Sequence, residues 1–102
     1  MIRLEFHPEA RAEYVGAVAY YEERRAGLGT LFANEVEAAL RRIQESPATW
    51  RIIEADVRRC LTRKFPFGVL YTIESDYVSV LAVMHCSREP GYWRSRQAGS
   101  AD

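Results

Sequence analysis

The sequence predicts an α+β domain of order β-α-α-β-β-β, a two-helix hairpin packed on one face of a small, mainly antiparallel four-stranded sheet. Three observations predict it. Apolar residues recur at helical spacing between residues 8 and 46. From Val57 onward the period switches to two. The links Gly27-Leu28-Gly29, Phe65-Pro66-Phe67-Gly68 and Ser75-Asp76 are short enough to join antiparallel neighbours.

Met1–Phe6 alternates, with Ile2, Leu4 and Phe6 facing one way and Arg3 and Glu5 the other, which reads as a short strand. His7-Pro8 ends it and places proline at the first helical position. Glu9 and Glu13 then lie near a helix N-terminus, where the backbone dipole favours carboxylates. Ala10, Tyr14, Ala17, Val18 and Tyr21 form the inner stripe of a helix over residues 8–25, closed by Arg24, Arg25 and Gly27. The next stripe, Leu28, Phe32, Val36, Ala39, Leu40 and Ile43, makes a second helix that Ser46-Pro47 terminates. On its outer side Glu37 and Arg41 are four apart, the spacing of a helical ion pair. Residues 47–56 read as a connector anchored by Trp50 and Ile53.

Three strand-forming runs follow, Val57–Lys64, Val69–Glu74 and Tyr77–Cys86. In the last, strict alternation sets Val78, Val80, Ala82 and Met84 against Tyr77, Ser79, Leu81, Val83 and His85. Both faces are largely apolar toward its end, the mark of a central strand, so the first strand is expected beside it. Gly91–Gln97 adds a helical turn, giving one domain over residues 1–97 and a frayed tail at 98–102. With both helices on one face, the other is expected to be an uncovered, concave, part-basic surface with an aromatic rim.

With 102 residues, 48% of them apolar, and twelve aromatics, the chain is long enough for one real core and too apolar for disorder. Fourteen basic and fourteen acidic side chains cancel, so binding to nucleic acid by bulk charge is excluded and anion binding must be local. Between Val57 and Ile73 the cations Arg58, Arg59, Arg63 and Lys64 stand without a single acid. Cys60 and Cys86 show no C-x-x-C or other metal spacing, and both read as reduced thiols of a cytoplasmic protein that needs no metal or cofactor. No secretory segment is recognisable and no apolar run reaches membrane-spanning length, so a membrane role is not expected.

The segments Phe6-His7-Pro8-Glu9-Ala10, Tyr20-Tyr21-Glu22-Glu23-Arg24, Gly27-Leu28-Gly29, Phe32, Glu35-Val36, Pro47, Val57-Arg58-Arg59, Phe65-Pro66-Phe67, Leu70-Tyr71 and Arg88-Glu89-Pro90-Gly91-Tyr92-Trp93-Arg94-Ser95-Arg96 together resemble the RelE/ParE toxins of bacterial type II toxin–antitoxin systems. The likeness is strongest to the ParE-like, plasmid-stabilisation branch, in its order and spacing more than in any one piece. The resemblance implies a small cytoplasmic toxin held in a hetero-oligomer by a cognate antitoxin. ParE-like members poison DNA gyrase, and RelE-like members cut mRNA on the ribosome without a metal.

Two functions follow from that resemblance. As a gyrase poison the chain would have no catalysis of its own and would bind its target through Arg88, Tyr92, Trp93, Arg94 and Arg96, residue types that dominate protein interfaces. As an endoribonuclease it would hold phosphate with Arg59, Arg63, Lys64 and Arg88 and move protons with Tyr92 or His85. RelE-like chains usually carry an arginine in the middle strand of the meander, and Gly68-Val69-Leu70-Tyr71 has none, which favours the gyrase-directed reading. The same residues also admit structural roles. Tyr92 and Trp93 can equally serve as packing residues, Arg88 can pair with Glu89, and His85 can be a satisfied core imidazole.

Overall fold

A computed structural model describes residues 1–97; the expected frayed tail at 98–102 lies outside the described residues. The elements are β1 (Arg3–Phe6), α1 (Pro8–Arg24), α2 (Leu28–Glu45), β2 (Arg51–Glu54), β3 (Val57–Leu61), β4 (Phe67–Ile73), β5 (Tyr77–His85) and a 3₁₀ turn at Arg94–Arg96. The sheet runs β1-β5-β4-β3-β2, with β1 parallel to β5 and every other pair antiparallel. The α+β architecture, the helical hairpin and the placement of the first strand beside the last are as the sequence predicts.

Each helix boundary has a local cause. His7 caps α1 by accepting the Glu9 N–H on Nδ1 at 3.1 Å, and Pro8 follows at the first position. The start of α2 has no side-chain cap of its own. Glu22 reaches over from α1 and accepts the N–H groups of Gly27 and Gly29 at 2.9 and 3.0 Å. The helices touch at Gly29, where an added Cβ would stand 2.6 Å from the Val18 carbonyl oxygen. Gly29→Ala must therefore push the hairpin apart. We expect it to lower stability by about 1–3 kcal/mol, the usual cost of overpacking, read as a lower urea midpoint at unchanged slope. Across the hairpin Tyr14 donates to Glu37 at 2.7 Å, so the Glu37–Arg41 pair that the sequence suggests is replaced by a tertiary bond.

The core beneath the helices contains Phe32, Val36, Ala39 and Ile43 of α2 against Cys60, Val69, Tyr71, Val78 and Val80 of the sheet, all buried. Phe32, Tyr21, Phe65 and Phe67 form an edge-to-face aromatic cluster at one end, with Phe32 and Phe67 centroids 4.7 Å apart. At the other end the Tyr71 hydroxyl donates to the Pro47 carbonyl at 2.6 Å, and burial pushes its pKa up to about 12. Arg58 donates to the carbonyls of Ala48 and Trp50, tying down the link after α2.

Three expectations need correction. The connector at 47–56 holds a fifth strand, β2, so the sheet has five strands rather than four. It escaped notice because it is four residues long and a register shift between Ile52 and Glu54 interrupts the alternation at Ile53. Second, strict alternation fails in β5. Leu70 pairs with Ala82 but Tyr71 pairs with Val80, so Leu81 is an extra residue, a β-bulge. Beyond it the faces exchange: Val83 joins the core under the helices, while Ala82 and Met84 join Leu81 on the other side.

Third, the face away from the helices is not bare. Val57, Leu70, Leu81, Ala82, Met84 and Trp93 form a second buried cluster, with Ile53 and Tyr92 packed at its margin. The chain after β5 folds back over the sheet and inserts Trp93, which is 3% exposed, so Trp93 is not presented on a rim as expected.

Candidate functional site

The C-terminal segment that follows β5 carries most of the residues of interest, and its placement rests on one carboxylate. β1 ends at Phe6, and the edge of β5 runs on past it. Glu13, from the second turn of α1, fills the gap by accepting the Val83 N–H at 3.0 Å. The same carboxylate accepts the Tyr92 hydroxyl at 2.8 Å and pairs with the Arg96 guanidinium at 3.0 Å. Arg96 also donates to the Leu81 carbonyl at the bulge, 3.1 Å away, and lies 3.6 Å from Glu9. Only 8% of the Arg96 side chain is exposed. Burial alone would lower its pKa, but the hydrogen bond and charge of Glu13 outweigh that and raise it. Burial, with Glu13 as the nearest charge, moves the Tyr92 phenol well above its ordinary value. Tyr92 is thus a neutral hydrogen-bond donor, its ring packed beneath Arg88 at 3.7 Å and near Arg96 at 5.0 Å.

A second tie joins the segment to β2. Arg94 grips Glu54 through both Nε and Nη2, the latter at 2.7 Å, and the bond lowers the Glu54 pKa. Gln97 donates to Asp56 at 2.9 Å. Of the residues the sequence nominated as a contact surface, Arg88 and Arg94 are exposed, Tyr92 is half-buried, Arg96 is nearly covered and Trp93 is core.

The residues nominated for ribonuclease chemistry do not come together. Arg63 and Lys64 are exposed in the β3–β4 turn, where the Lys64 N–H binds Glu35 of α2 at 2.7 Å. His85 sits on the Phe67 side of the sheet, ring centroids 5.1 Å apart, its Nδ1 3.0 Å from the Ser87 N–H and 2.7 Å from the Ser87 hydroxyl. The Tyr92 hydroxyl is turned toward Glu13. Only Arg59 and Arg88 share a concavity, about 260 Å³, on the face opposite the helices. Among the described residues no group of three His, Cys, Asp or Glu is placed to hold a metal ion, and no helix is long and apolar enough to cross a membrane. The pair Arg88–Glu89 exists, but at 4.0 Å and in solvent it contributes little.

Sequence reasoning missed Glu13, the residue that organises the segment. Its helical position showed only a favourable dipole contact. The partners that give it meaning lie far along the chain, Val83 at 70 residues and Tyr92 at 79.

A family model described as the ParE toxin of the type II toxin–antitoxin system parDE matches residues 4–90. The chain belongs to the ParE toxin family. Of solved structures, a chain of the chromosomal ParDE system from P. aeruginosa superimposes with a TM-score of 0.71 over 83% of this chain and 96% of that one. At 16% identity that likeness speaks for the fold alone. No curated protein sequence matches. The ParE family match spans both helices, the sheet and Arg88, and ends at Pro90, just before the residues that Glu13 and Glu54 tie down. In this ParE-family chain the closing segment is therefore a feature to be read from its own contacts.

Proposed function

We propose that this ParE-family toxin acts by protein–protein contact on DNA gyrase, has no catalysis of its own, and is kept inactive in the cytoplasm as a hetero-oligomer with its antitoxin. What supports this over RNA cleavage is that Arg63 and Lys64 stand in the β3–β4 turn, His85 is bonded to Ser87 on the Phe67 side of the sheet and the Tyr92 hydroxyl is turned toward Glu13, so that neither nominated proton-transfer group faces the Arg59–Arg88 pair. The proposed contact surface is the C-terminal segment. Arg88, Arg94 and the outer edge of Tyr92 meet the target, while Trp93 and Arg96 hold them in place.

The test is a supercoiling assay with purified gyrase beside a ribosome-bound mRNA cleavage assay. The chain is expected to inhibit supercoiling at micromolar concentration and leave mRNA intact. Arg88→Ala, at an exposed site, is expected to keep the thermal midpoint within about 2 °C and raise the inhibitory concentration at least tenfold, as for an interface hot spot. Cleaved mRNA with normal supercoiling would reverse the assignment.

A further inference from the structure

The concavity shared by Arg59 and Arg88 holds an unusual charge arrangement. In the antiparallel β2–β3 pair, Arg51 stands directly opposite Arg59, two guanidinium groups on one face of the sheet. Like charges so placed repel. Neither guanidinium has a hydrogen bond or ion pair among the described residues, although the Arg59 residue is half-buried. Its stem is held in position by Gly68 of β4, where a Cβ would come 3.1 Å from the Arg59 Cγ. The missing side chain at Gly68 is what lets Arg59 lie across the strand toward the cavity. Arg88 lines the same cavity, its guanidinium braced over the Tyr92 ring. The carboxylate among the lining residues, Glu54, is already engaged by Arg94 through two bonds. The floor is apolar, made by Ile53, Met84 and Trp93.

A guanidinium without an anionic partner, its stem packed in place beside a second cation, is open to an arriving carboxylate. We propose that this cavity is a receptor for a carboxylate side chain of a partner protein, an Asp or Glu flanked by apolar residues in an extended peptide segment. Arg59 and Arg88 take the carboxylate, and Ile53 and Pro90, the less covered apolar lining, take its apolar neighbour. The proposal rests on the protein-contact reading above only in that the partner is a protein. A nucleic acid fits less well. The chain has zero net charge, and the aromatic ring in the floor, Trp93, is 3% exposed and offers no face for a base to stack on.

The experiment is an NMR titration of the full chain with the capped peptide Leu-Glu-Phe-Asp-Leu, its isosteric Leu-Gln-Phe-Asn-Leu counterpart, and a single-stranded thymidine dodecamer. The acidic peptide is expected to shift the amides of Gly68, Met84 and Gly91 and the Trp93 indole N–H at millimolar concentration or below. The amide peptide is expected to bind at least tenfold more weakly. Arg59→Met, which keeps the stem over Gly68, and Arg88→Gln should each weaken the acidic peptide at least tenfold, while the remote Arg25→Gln should not. Absence of shifts, equal binding of the two peptides, unchanged binding in Arg59→Met, or saturable binding of the oligonucleotide alone overturns the proposal. The titration contains no gyrase, so its failure leaves the supercoiling result standing, and the reverse holds as well.

Discussion

Trp93→Ala is expected to remove about 3–5 kcal/mol of stability, the range for deleting a large buried aromatic. The indole closes the second core by covering Val57, Leu70, Leu81, Ala82 and Met84, and without it those side chains meet water. For a domain of this size such a loss takes most of the margin between folded and unfolded states. The measurement is a denaturant melt, with Trp93→Phe beside it; the phenylalanine variant should recover more than half of the lost stability because it refills much of the volume. A melt of Trp93→Ala that overlays the parent would mean that the indole is not buried in solution and belongs to the contact surface after all.

Glu13→Ala is expected to cost about 3 kcal/mol and to free the closing segment. The substitution strands a guanidinium, Arg96, whose side chain is 8% exposed, and breaking a buried pair from one side costs about 3–5 kcal/mol. It also leaves the Val83 N–H and the Tyr92 hydroxyl without their acceptor, each a further penalty where water cannot enter. Partial entry of solvent at this edge argues for the low end of the range. Hydrogen exchange should show the loss as faster exchange at Val83 and at residues 92–97, with α2 and β4 still protected. Glu13→Gln keeps the shape and two acceptor roles but not the charge, so it should fall between the parent and the alanine variant. If Glu13→Ala exchanges like the parent, the ties at Trp93 and Glu54 hold the segment without it.

The two variants probe the same segment by different physics, and both bear on function. Arg88 and Arg94 can meet a target in a fixed geometry only while Trp93 fills its pocket and Arg96 its notch. Loss of the proposed gyrase inhibition in either variant is therefore interpretable only beside its stability, whereas Arg88→Ala tests the contact itself.

Much of the fold is visible in the linear pattern because its causes are local. The stripe from Phe32 to Ile43, the proline after His7 and the short turns of the meander each act within a few residues, and the family likeness of the ParE region is carried by the same segments. The bulge at Leu81 leaves no such mark. One extra residue in an apolar run keeps the run apolar, yet it moves Val83 and His85 to the face opposite the one that alternation assigns. β2 hides for a related reason, since Ile52-Ile53 has no period until pairing with β3 defines one.

The candidate site divides the same way. Composition alone makes Arg59, Arg88, Tyr92, Trp93, Arg94 and Arg96 worth attention, because arginine and aromatic residues so close together suit either an interface or a fold-back. Which of the two each residue serves depends on partners in other elements: Glu13 for Arg96 and Tyr92, Glu54 for Arg94, the second core for Trp93. The amino-acid order by itself determined the helices, most of the strands and the family, since these follow from short-range periodicity and turn chemistry. Only the tertiary structure decided how Arg94 and Arg96 are neutralised while Arg59 remains open, because charge compensation depends on distance in space, and the carboxylates that hold Arg94 and Arg96 lie tens of residues away along the chain.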